Sequence, residues 1–318
     1  MADTLTEFGL IARHFRPLAT HVGALALSDD ACVLQEEAAR DTIVTADALT
    51  AGVHFLERDP PNLIASKALR VNLSDLAAKG AVPMGYLLAL ALPHSVDEAW
   101  LACFARGLAD DQAAFAISLL GGDTTATPGP LTIAITALGH VPRGTMIRRS
   151  GAKVGDHVFV SGTIGDAGAG LALLQGGAGG SQSDTDFLIQ RYRQPSPRLN
   201  LGLALRGIAS AALDVSDGLI ADLGHIAEVS GARITVEAEA IPRSDALRRL
   251  DPNGVVRAVT AGDDYEIAFT APSVAAVEVV AGHLPVTRIG RVEAGQGVVL
   301  VDGEGREIPV ARTGFTHF

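Results

Sequence analysis

Aspartates that stand beside small residues at the ends of apolar segments are the residues of this sequence best suited to chemistry. Asp is unfavourable inside strands and is seldom buried without a partner, so aspartates in such places favour a bound cation. Mg²⁺ prefers oxygen ligands and usually joins a few carboxylates to the phosphate groups of a substrate. The aspartates concerned are Asp29, Asp30, Asp47, Asp75, Asp123, Asp214, Asp217, Asp263 and Asp264.

These positions also have ordinary structural interpretations, which the residues alone leave open. Ser216 or Asp217 would cap a helix that begins near Leu219, because a side-chain oxygen can accept a hydrogen bond from the first N–H groups of a helix. The other ordinary interpretations are a turn at Gly121-Gly122-Asp123, a strand end at Thr45-Ala46-Asp47 and a solvent-facing helix position at Asp75.

The sequence lacks the signatures of several common enzyme classes. It contains no G-x-x-x-x-G-K-[ST], H-R-D, D-F-G, H-E-x-x-H or G-x-S-x-G segment, which excludes a P-loop, a protein-kinase site, a zincin and a nucleophile elbow. An EF-hand is excluded as well, because the sixth and twelfth residues counted from Asp214 are Leu219 and His225 rather than Gly and Glu.

The composition predicts a globular protein with an acidic surplus. The chain has 318 residues, 48% hydrophobic and 19% charged, with 36 Asp and Glu against 25 Lys and Arg and a net charge of -11. This balance argues against a nucleic-acid-binding face and against an anionic membrane surface. The longest apolar run, Tyr86–Leu92, is too short to span a bilayer. With two cysteines and an N-terminus unlike a signal peptide, the expected location is the cytoplasm.

The elements that would position the aspartates alternate along the chain, which predicts a mixed α+β or α/β fold. Two domains are expected, residues 1–149 and 150–318. The run Tyr86–Leu92 predicts a strand buried on both faces, and the Gly/Ser-rich stretch Gly176–Asp186 predicts an exposed loop. Predicted strands are Ala31–Leu34, Thr42–Thr45, Tyr86–Leu92, Ala116–Leu120, Leu131–Val141, His157–Ser161, Ala212–Val215, Ile234–Ala238, Tyr265–Thr270, Thr287–Val292 and Val298–Val301. Predicted helices are Glu7–Pro17, Leu63–Ala78, Val96–Phe115, Ala167–Leu174, Leu188–Tyr192, Leu199–Ala211, Leu219–Ser230 and Ser273–Ala281.

Over nearly its whole length the chain resembles the thiamine-monophosphate kinases. This family belongs to the superfamily of aminoimidazole-ribonucleotide synthetase, selenophosphate synthetase and the hydrogenase-maturation synthetase. The segments that carry the resemblance are Ser28-Asp-Asp-Ala31, Thr45-Ala-Asp47, Gly52-Val-His-Phe55, Lys67–Gly80, Gly121-Gly-Asp-Thr-Thr125, Arg149-Ser-Gly-Ala152, Leu213–Leu219, Gly262-Asp-Asp-Tyr-Glu266 and Gly314-Phe-Thr-His-Phe318.

The resemblance implies a reaction in which ATP and thiamine phosphate give ADP and thiamine diphosphate. It implies an aminoimidazole-ribonucleotide synthetase-like fold, with ATP between the domains and several Mg²⁺ ions. The N-terminal domain would bind ATP and Mg²⁺ and pair with its twin in a dimeric, β-barrel-like interface. The C-terminal domain would complete the nucleotide and substrate site.

The resemblance also implies roles for individual residues. The metal ligands would be Asp30, Thr45, Ala46, Asp47, Asp75, Asp123, Asp214 and Asp217. Gly122, Asp123, Arg149 and Ser216 would contact ATP, and His54, Asp263 and Phe315 would contact thiamine phosphate. The chain has Ser28, Ala46 and Asp263 where the family commonly has Gly, Thr and Glu, so Ala46 could serve only through its backbone carbonyl.

The chemistry of this reaction fits those residue types. The attacking phosphate oxygen is already anionic near neutral pH, so no general base and no catalytic side chain of that kind is expected. Phosphoryl transfer then depends on positioning and on neutralising charge, which Mg²⁺ and Arg149 would provide. Phe315 offers an aromatic face to a cationic thiazolium or a pyrimidine ring, and Asp263 would complement the positive charge.

Two rival hypotheses remain open at this point. The chain could be another ATP-dependent synthetase of the superfamily, although no reactive cysteine stands in a Gly-rich N-terminal segment or at the C-terminus. It could also be a sensor that binds nucleotide and metal without catalysis. The set of candidate ligand aspartates argues against a sensor, which would be expected to lose some of them.

Overall fold

The computed structural model describes residues 7–27, 34 and 38–316, and it divides the chain into two compact units. The first unit contains the described residues up to Leu76 together with Val82–Gly144, and the second contains Ala77–Ala81 and the chain from Thr145 onward. Each unit holds one mixed sheet, so the expected two-domain fold of mixed helices and strands is confirmed.

The first unit is built on a four-stranded sheet in the order β1-β4-β2-β3, in which β2 and β3 are parallel and the other pairs are antiparallel. No closed barrel is present in the part of the chain that the structure describes. The unit's elements are α1 (Glu7–Leu10), β1 (Arg40–Thr50), α2 (Pro61–Ala78), β2 (Val82–Pro93), α3 (Glu98–Phe115), β3 (Ser118–Thr127) and β4 (Thr132–Pro142). The α1 helix continues as a π-helix over Ile11–Phe15 and as a 3-10 helix over Arg16–Leu18, and a further 3-10 helix covers Val22–Leu27.

One face of this sheet is buried and the other is exposed. On β1, Ile43 and Leu49 are buried whereas the side chain between them in sequence, Val44, is 59% exposed. On β2, Tyr86 is fully buried and Leu87 is 37% exposed. The prediction of a strand buried on both faces is therefore wrong, because alternate apolar side chains of β2 point away from the core.

The segment Gly121-Gly122-Asp123, predicted as a turn, lies inside β3. Its pairing with β2 shifts register once, between Tyr86 and Leu87, and then continues to Thr127. The two glycines gave the appearance of a turn, but here they belong to a strand beside another backbone. The predicted strand end at Thr45–Asp47 is likewise the middle of β1, which extends to Thr50.

The second unit holds a six-stranded sheet in the order β10-β7-β9-β5-β8-β6, in which only the β10–β7 pair is parallel. Its strands are β5 (His157–Ser161), β6 (Ala211–Asp214), β7 (Arg233–Glu237), β8 (Ile267–Ala271), β9 (Val286–Glu293) and β10 (Gly297–Val301). Its helices are α4 (Asp166–Leu174), α5 (Gln182–Arg193), α6 (Leu199–Ala204), α7 (Leu219–Ser230), α8 (Asp245–Leu250), α9 (Val255–Thr260) and α10 (Val274–Ala281), with a 3-10 turn at Ala238–Ala240.

Four helices of this unit differ from the predictions. The α5 helix begins inside the predicted loop, because Ser181 caps it by accepting a hydrogen bond from the Asp184 N–H. The α6 helix ends at Ala204, well before the predicted Ala211. The short helices α8 and α9 were not predicted, since six residues give too little periodicity to recognise.

The segment Ala77–Ala81 belongs to the second unit although both of its flanks belong to the first. Ala77 and Ala78 are part of a core with Phe159 and Leu201, and Lys79 Nζ donates a 2.8 Å hydrogen bond to the Ala212 carbonyl. A Cβ on residue 202 would lie 1.9 Å from the Ala77 carbonyl oxygen, so only glycine fits there. No helix among the described residues has the length and apolar character needed to cross a membrane.

Candidate active site

In the first unit, β1 and α2 bring together three of the predicted metal ligands. Thr45 and Asp47 lie on the face of β1 that carries the buried Ile43 and Leu49, and Thr45 Oγ1 donates a hydrogen bond to Asp75 Oδ2 on α2. Burial raises the pKa of Asp47 to about 6, and the neighbouring charge of Asp75 adds to the shift. A cation placed beside these oxygens would relieve both effects. Ala46 lies between Thr45 and Asp47 with its side chain on the exposed face.

The orientation of α2 is fixed by a buried ion pair with α3. Arg70 on α2 donates to both carboxylate oxygens of Asp111 on α3, at 2.8 and 2.7 Å, and its guanidinium lies 5.2 Å from the centre of the Phe115 ring. Asp111 is 1% exposed. Because a bidentate pair fixes direction as well as distance, it holds α2 with the half-buried Asp75 toward β1. The solvent-facing interpretation of Asp75 is therefore wrong.

His54 is held in the turn after β1 by bonds at both its ring and its backbone. The Thr50 N–H donates a 3.0 Å hydrogen bond to His54 Nδ1, so the neutral ring carries its proton on Nε2. Lys67 Nζ, on a side chain only 2% exposed, donates a 2.8 Å bond to the His54 carbonyl. The sequence analysis did not single out Lys67; its position on the buried stripe of α2 is the signal that could have found it.

Gly122 and Asp123 lie on β3, at the opposite edge of the sheet from β1. Asp123 stands in one row with Ala89, Ala134 and Ala48, so its side chain is on the exposed face and Asp47 is on the other. Three strand spacings separate β3 from β1, which is about 14 Å. The structure of this unit therefore does not bring Asp123 to Thr45, Asp47 and Asp75.

In the second unit, the end of β6 and the loop that joins it to α7 carry Asp214, Ser216 and Asp217. The buried Asp214 ends β6, and Gly218 rather than Ser216 or Asp217 occupies the N-cap position of α7. The capping interpretation is therefore wrong. Asp222, in the first turn of α7, satisfies the backbone N–H groups before the helix instead: its Oδ2 accepts hydrogen bonds from the N–H groups of Ser216, Asp217 and Gly218, at 3.0, 3.0 and 3.1 Å.

Asp222 is a residue that the sequence analysis missed. It is 4% exposed, and burial raises its pKa to about 7, with a further rise from the charge of Asp217 and an opposing effect from the three backbone donors. An acid in the first turn of a helix is common, because it complements the helix dipole. The sequence alone gave no reason to distinguish this one.

The segments that contain Asp263 and Phe315 both meet the loop after β6. The Asp263 N–H donates to the Ser216 carbonyl at 2.8 Å, and the Phe315 N–H donates to the Asp217 carbonyl at 2.9 Å. The glycines beside them permit this approach: a Cβ on Gly262 or on Gly314 would lie 2.5 Å from those same carbonyl oxygens. Within this unit, the structure thus brings together the predicted residues Asp214, Ser216, Asp217, Asp263 and Phe315.

The backbone of the Asp263 segment is strained, and buried acids hold it in place. Asp263 and Tyr265 have left-handed φ angles of 71° and 50°, which are unfavourable for residues other than glycine. The fully buried Asp264 accepts hydrogen bonds from the Gly165 and Ala167 N–H groups, at 2.7 and 3.3 Å. Burial raises the pKa of Asp264 well above its usual range.

Glu266 also holds the Asp263 segment in place, through hydrogen bonds from charged partners. Its carboxylate accepts two hydrogen bonds from Arg198, at 2.7 and 2.6 Å, one from Arg191 at 2.9 Å and one from the Ser161 hydroxyl at 2.6 Å. Charged bonds of this kind can maintain a strained backbone. Sequence reasoning missed Arg191 and Arg198, which are separated from Glu266 by more than sixty residues along the chain.

Of the remaining predicted residues, one is an exposed arginine and the others lie outside the residues that the structure describes. Arg149 is exposed and follows Arg148, whose carbonyl accepts a hydrogen bond from the Ala212 N–H. Asp29, Asp30, His317 and Phe318 lie outside the described residues. Across the described ranges, no group of three or more His, Cys, Asp or Glu side chains is placed to hold a metal ion.

The chain matches one family over most of its length. Residues 28–141 match the AIR synthase related protein, N-terminal domain, and residues 153–303 match the AIR synthase related protein, C-terminal domain.

Individual relatives are similar over nearly the whole chain. A thiamine-monophosphate kinase of Caulobacter vibrioides is 46% identical and the match covers 98% of this chain and 91% of the relative. A crystal structure of thiamine-monophosphate kinase from Stenotrophomonas maltophilia K279a is 43% identical, with a TM-score of 0.85 over 96% of this chain and 98% of that one. The solved structure of "AaThiL complexed with AMPPCP and TMP" is 33% identical, with a TM-score of 0.80 over 99% of this chain and 97% of that one.

Proposed function

Since the chain belongs to the AIR synthase related family and, within it, to the thiamine-monophosphate kinases, we propose that it transfers a phosphoryl group from ATP to thiamine monophosphate. The products are thiamine diphosphate and ADP, and the protein is an enzyme. The observation that carries this function is full-length similarity to a named kinase, at 46% identity over 98% of the chain. A relative bound to AMPPCP, an ATP analogue, and TMP supports the same pair of substrates.

The reaction asks little acid–base chemistry of the protein. The acceptor oxygen belongs to a phosphate that is anionic near neutral pH, so turnover depends on bringing two anions together and neutralising their charge. The acidic segments of both units suit this task only if cations accompany the nucleotide.

Mg²⁺ fits the oxygen donors of the first unit. Thr45, Asp47 and Asp75 offer a hydroxyl and two carboxylates, and burial together with the charge of Asp75 raises the pKa of Asp47, an effect that a bound cation would oppose. We infer that these three residues hold Mg²⁺ in the first unit and that Asp214 and Asp217 hold it in the second. Asp30, Ala46 and Asp123 remain ligands proposed from the family resemblance. The ion would neutralise phosphate charge when bound.

The binding roles of the other residues are proposed from the family and supported by their surroundings. His54 is oriented by Thr50 and Lys67, which suits a donor to thiamine monophosphate. Asp263 and Phe315 are fixed to adjacent carbonyl groups of one loop, which suits an acid and an aromatic ring that recognise the same cationic ligand. The proposed contacts to ATP are Gly122, Asp123, Arg149 and Ser216.

We further propose that two copies of the chain pair through the exposed face of the four-stranded sheet. Val44 and Leu87 are exposed there, at 59% and 37%, beside exposed alanines of β1 and β2. An apolar sheet face of this kind is typical of a protein interface. The edge strands β1 and β3 would also gain partners if the two sheets joined in a barrel-like arrangement. Location in the cytoplasm stays a prediction from the sequence.

The function is tested by incubating the purified chain with ATP, Mg²⁺ and thiamine monophosphate and measuring thiamine diphosphate by chromatography. We expect product only when all three are present, and none when EDTA replaces Mg²⁺. Binding of ATP without product would favour the sensor. Consumption of ATP with thiamine monophosphate unchanged would favour another synthetase of the superfamily. The Asp41→Asn variant, altered at a half-buried acid on β1 and retaining an acceptor oxygen for the Gly144 N–H that donates to Asp41 at 2.7 Å, serves as the control for later substitutions.

A further inference from the structure

We propose that Asp222 is a positioning residue that couples the nucleotide loop, Val215–Gly218, to the two segments that contact thiamine monophosphate. This inference rests on the proposed function for the roles of Ser216, Asp263 and Phe315. The coupling itself is a property of the backbone hydrogen bonds of the second unit.

One side of the nucleotide loop is organised by a single carboxylate oxygen. Asp222 Oδ2 accepts the N–H groups of Ser216, Asp217 and Gly218 within 3.1 Å. Three successive peptide N–H groups can converge on one atom only if their peptide planes turn the same way. Since Asp222 is 4% exposed and its three donors are buried or partly buried, water offers them little substitute for the carboxylate.

The other side of the same peptide groups carries the connection to the substrate segments. The carbonyls of Val215, Ser216 and Asp217 accept hydrogen bonds from the N–H groups of Tyr265, Asp263 and Phe315, at 2.8, 2.8 and 2.9 Å. The carbonyls are attached to the peptide planes whose N–H groups Asp222 orients. A rotation of those planes would therefore move Asp263 and Phe315 as well as Ser216 and Asp217.

Asp222 thus acts through the residues that touch ligand rather than touching ligand itself. When it holds the loop, the candidate nucleotide and substrate groups are kept at fixed separations. When Asp222 is replaced, we expect the affinities for ATP and for thiamine monophosphate both to fall, because the groups that contact each ligand depend on the same three peptide planes.

The test begins with amide hydrogen exchange of the unliganded protein, which needs no activity. In Asp222→Ala, we expect faster exchange at residues 216–218 and also at Asp263 and Phe315. Asp156→Ala is the matched control: Asp156 is also 4% exposed and accepts a backbone N–H, from Lys153 at 3.0 Å. It should leave exchange at Asp263 and Phe315 as in the wild type.

Kinetics supply the second readout. We expect Asp222→Ala to raise KM for ATP and KM for thiamine monophosphate together, each by about tenfold, as the loss of one satisfied buried group would allow. Asp222→Asn keeps an acceptor oxygen and should restore most of both values. A lower melting temperature with both KM values unchanged would mean that Asp222 serves stability alone and would overturn the inference.

Further outcomes separate the inference from the function. If Asp222→Ala does not fold, the same exchange and kinetic measurements are made on Asp222→Glu. This variant displaces the acceptor oxygen by one methylene and keeps its charge. Accelerated exchange confined to residues 216–218 in either variant overturns the coupling. A wild-type protein without kinase activity would refute the proposed function, and the exchange experiment would still test the coupling.

Discussion

Two carboxylates near each other on β1 and α2 are unfavourable until a cation joins them. Burial and, to a smaller extent, the charge of Asp75 raise the pKa of Asp47, so the ionised carboxylate is disfavoured at this position without a neighbouring cation. Stability and activity therefore make opposite demands on Asp47, as is common at functional sites.

We predict that Asp47→Asn lowers kcat/KM by at least about 100-fold while the metal-free protein melts at the same or a higher temperature. Activity falls because a proposed metal ligand is lost, and stability is kept because an unfavourable buried charge is removed. Steady-state kinetics and thermal unfolding in EDTA check the two parts. Asp41→Asn, on the same strand, should leave kcat/KM unchanged, because it is not a proposed ligand and Asn keeps an acceptor oxygen for the Gly144 N–H; a normal kcat/KM in Asp47→Asn would contradict the assignment.

Asp264 gives a prediction about pH. Burial raises its pKa in the folded protein, so the folded state binds a proton more tightly than the unfolded state does. Stability from this group is therefore present at low pH and is lost as the pH rises from about 4 toward its folded pKa, at up to about 1.4 kcal/mol per pH unit.

Urea unfolding of the wild type and of Asp264→Asn across pH 4 to 8 measures this effect. The free energy of unfolding of the wild type should decline relative to that of the variant as the pH rises. A constant difference between the two proteins would show that Asp264 does not titrate in this range.

Among the elements, α2 has the most structural and functional roles, since it carries Asp75, the buried Lys67 and the arginine of the ion pair to α3. We predict that Asp111→Ala destabilises the protein by about 3 kcal/mol or more, because it leaves the Arg70 guanidinium without its buried partner. Replacing both residues, as Arg70→Met with Asp111→Leu, should recover much of that loss.

Chemical denaturation checks the ion-pair prediction. The matched control is Arg306→Met, which breaks a pair with Asp302 in which the arginine side chain is 71% exposed, and which should cost less than about 1 kcal/mol. Equal effects at the two sites would mean that burial of the α2–α3 pair is unimportant.

Elements with a clear hydrophobic periodicity were predictable from the sequence, whereas elements whose conformation depends on a neighbouring segment were not. The long α2 and α3 and the strand β5 follow from their apolar patterns. The strand β3 was missed at Gly121 and Gly122, because only the neighbouring β2 makes a glycine pair extended there. Likewise, the sequence at Asp217 is typical of a helix cap, and only the folded chain shows that Asp222 accepts the hydrogen bonds from the N–H groups before the helix.

The candidate site was predictable where a motif lies on one loop, as at Asp214–Gly218. Its partners were not, since the bonds from Asp263 and Phe315 to that loop join segments far apart in sequence. Hydrogen bonds between backbone groups leave no residue-specific trace, so only the glycines Gly262 and Gly314 hinted at the close approach.

At the scale of the whole molecule, the exposed sheet face predicts the oligomeric state. Ala89→Arg places a large charged side chain in the middle of that face, so we expect a dimer to become a monomer in analytical ultracentrifugation. Val279→Arg is the control, since Val279 is 81% exposed on α10 of the other unit. A wild-type protein that sediments as a monomer would contradict the pairing directly.

The path of the chain at Ala77–Ala81 has a consequence for how this protein can be divided. A gene cut after Gly144 would give a C-terminal product that lacks the small residues packed beside Phe159 and Leu201 and the lysine that bonds Ala212. The gap would lie in a core, where missing side chains cannot be replaced by water at no cost. Shuffling the halves of distant relatives would therefore succeed best when the end of α2 is inherited with the C-terminal half.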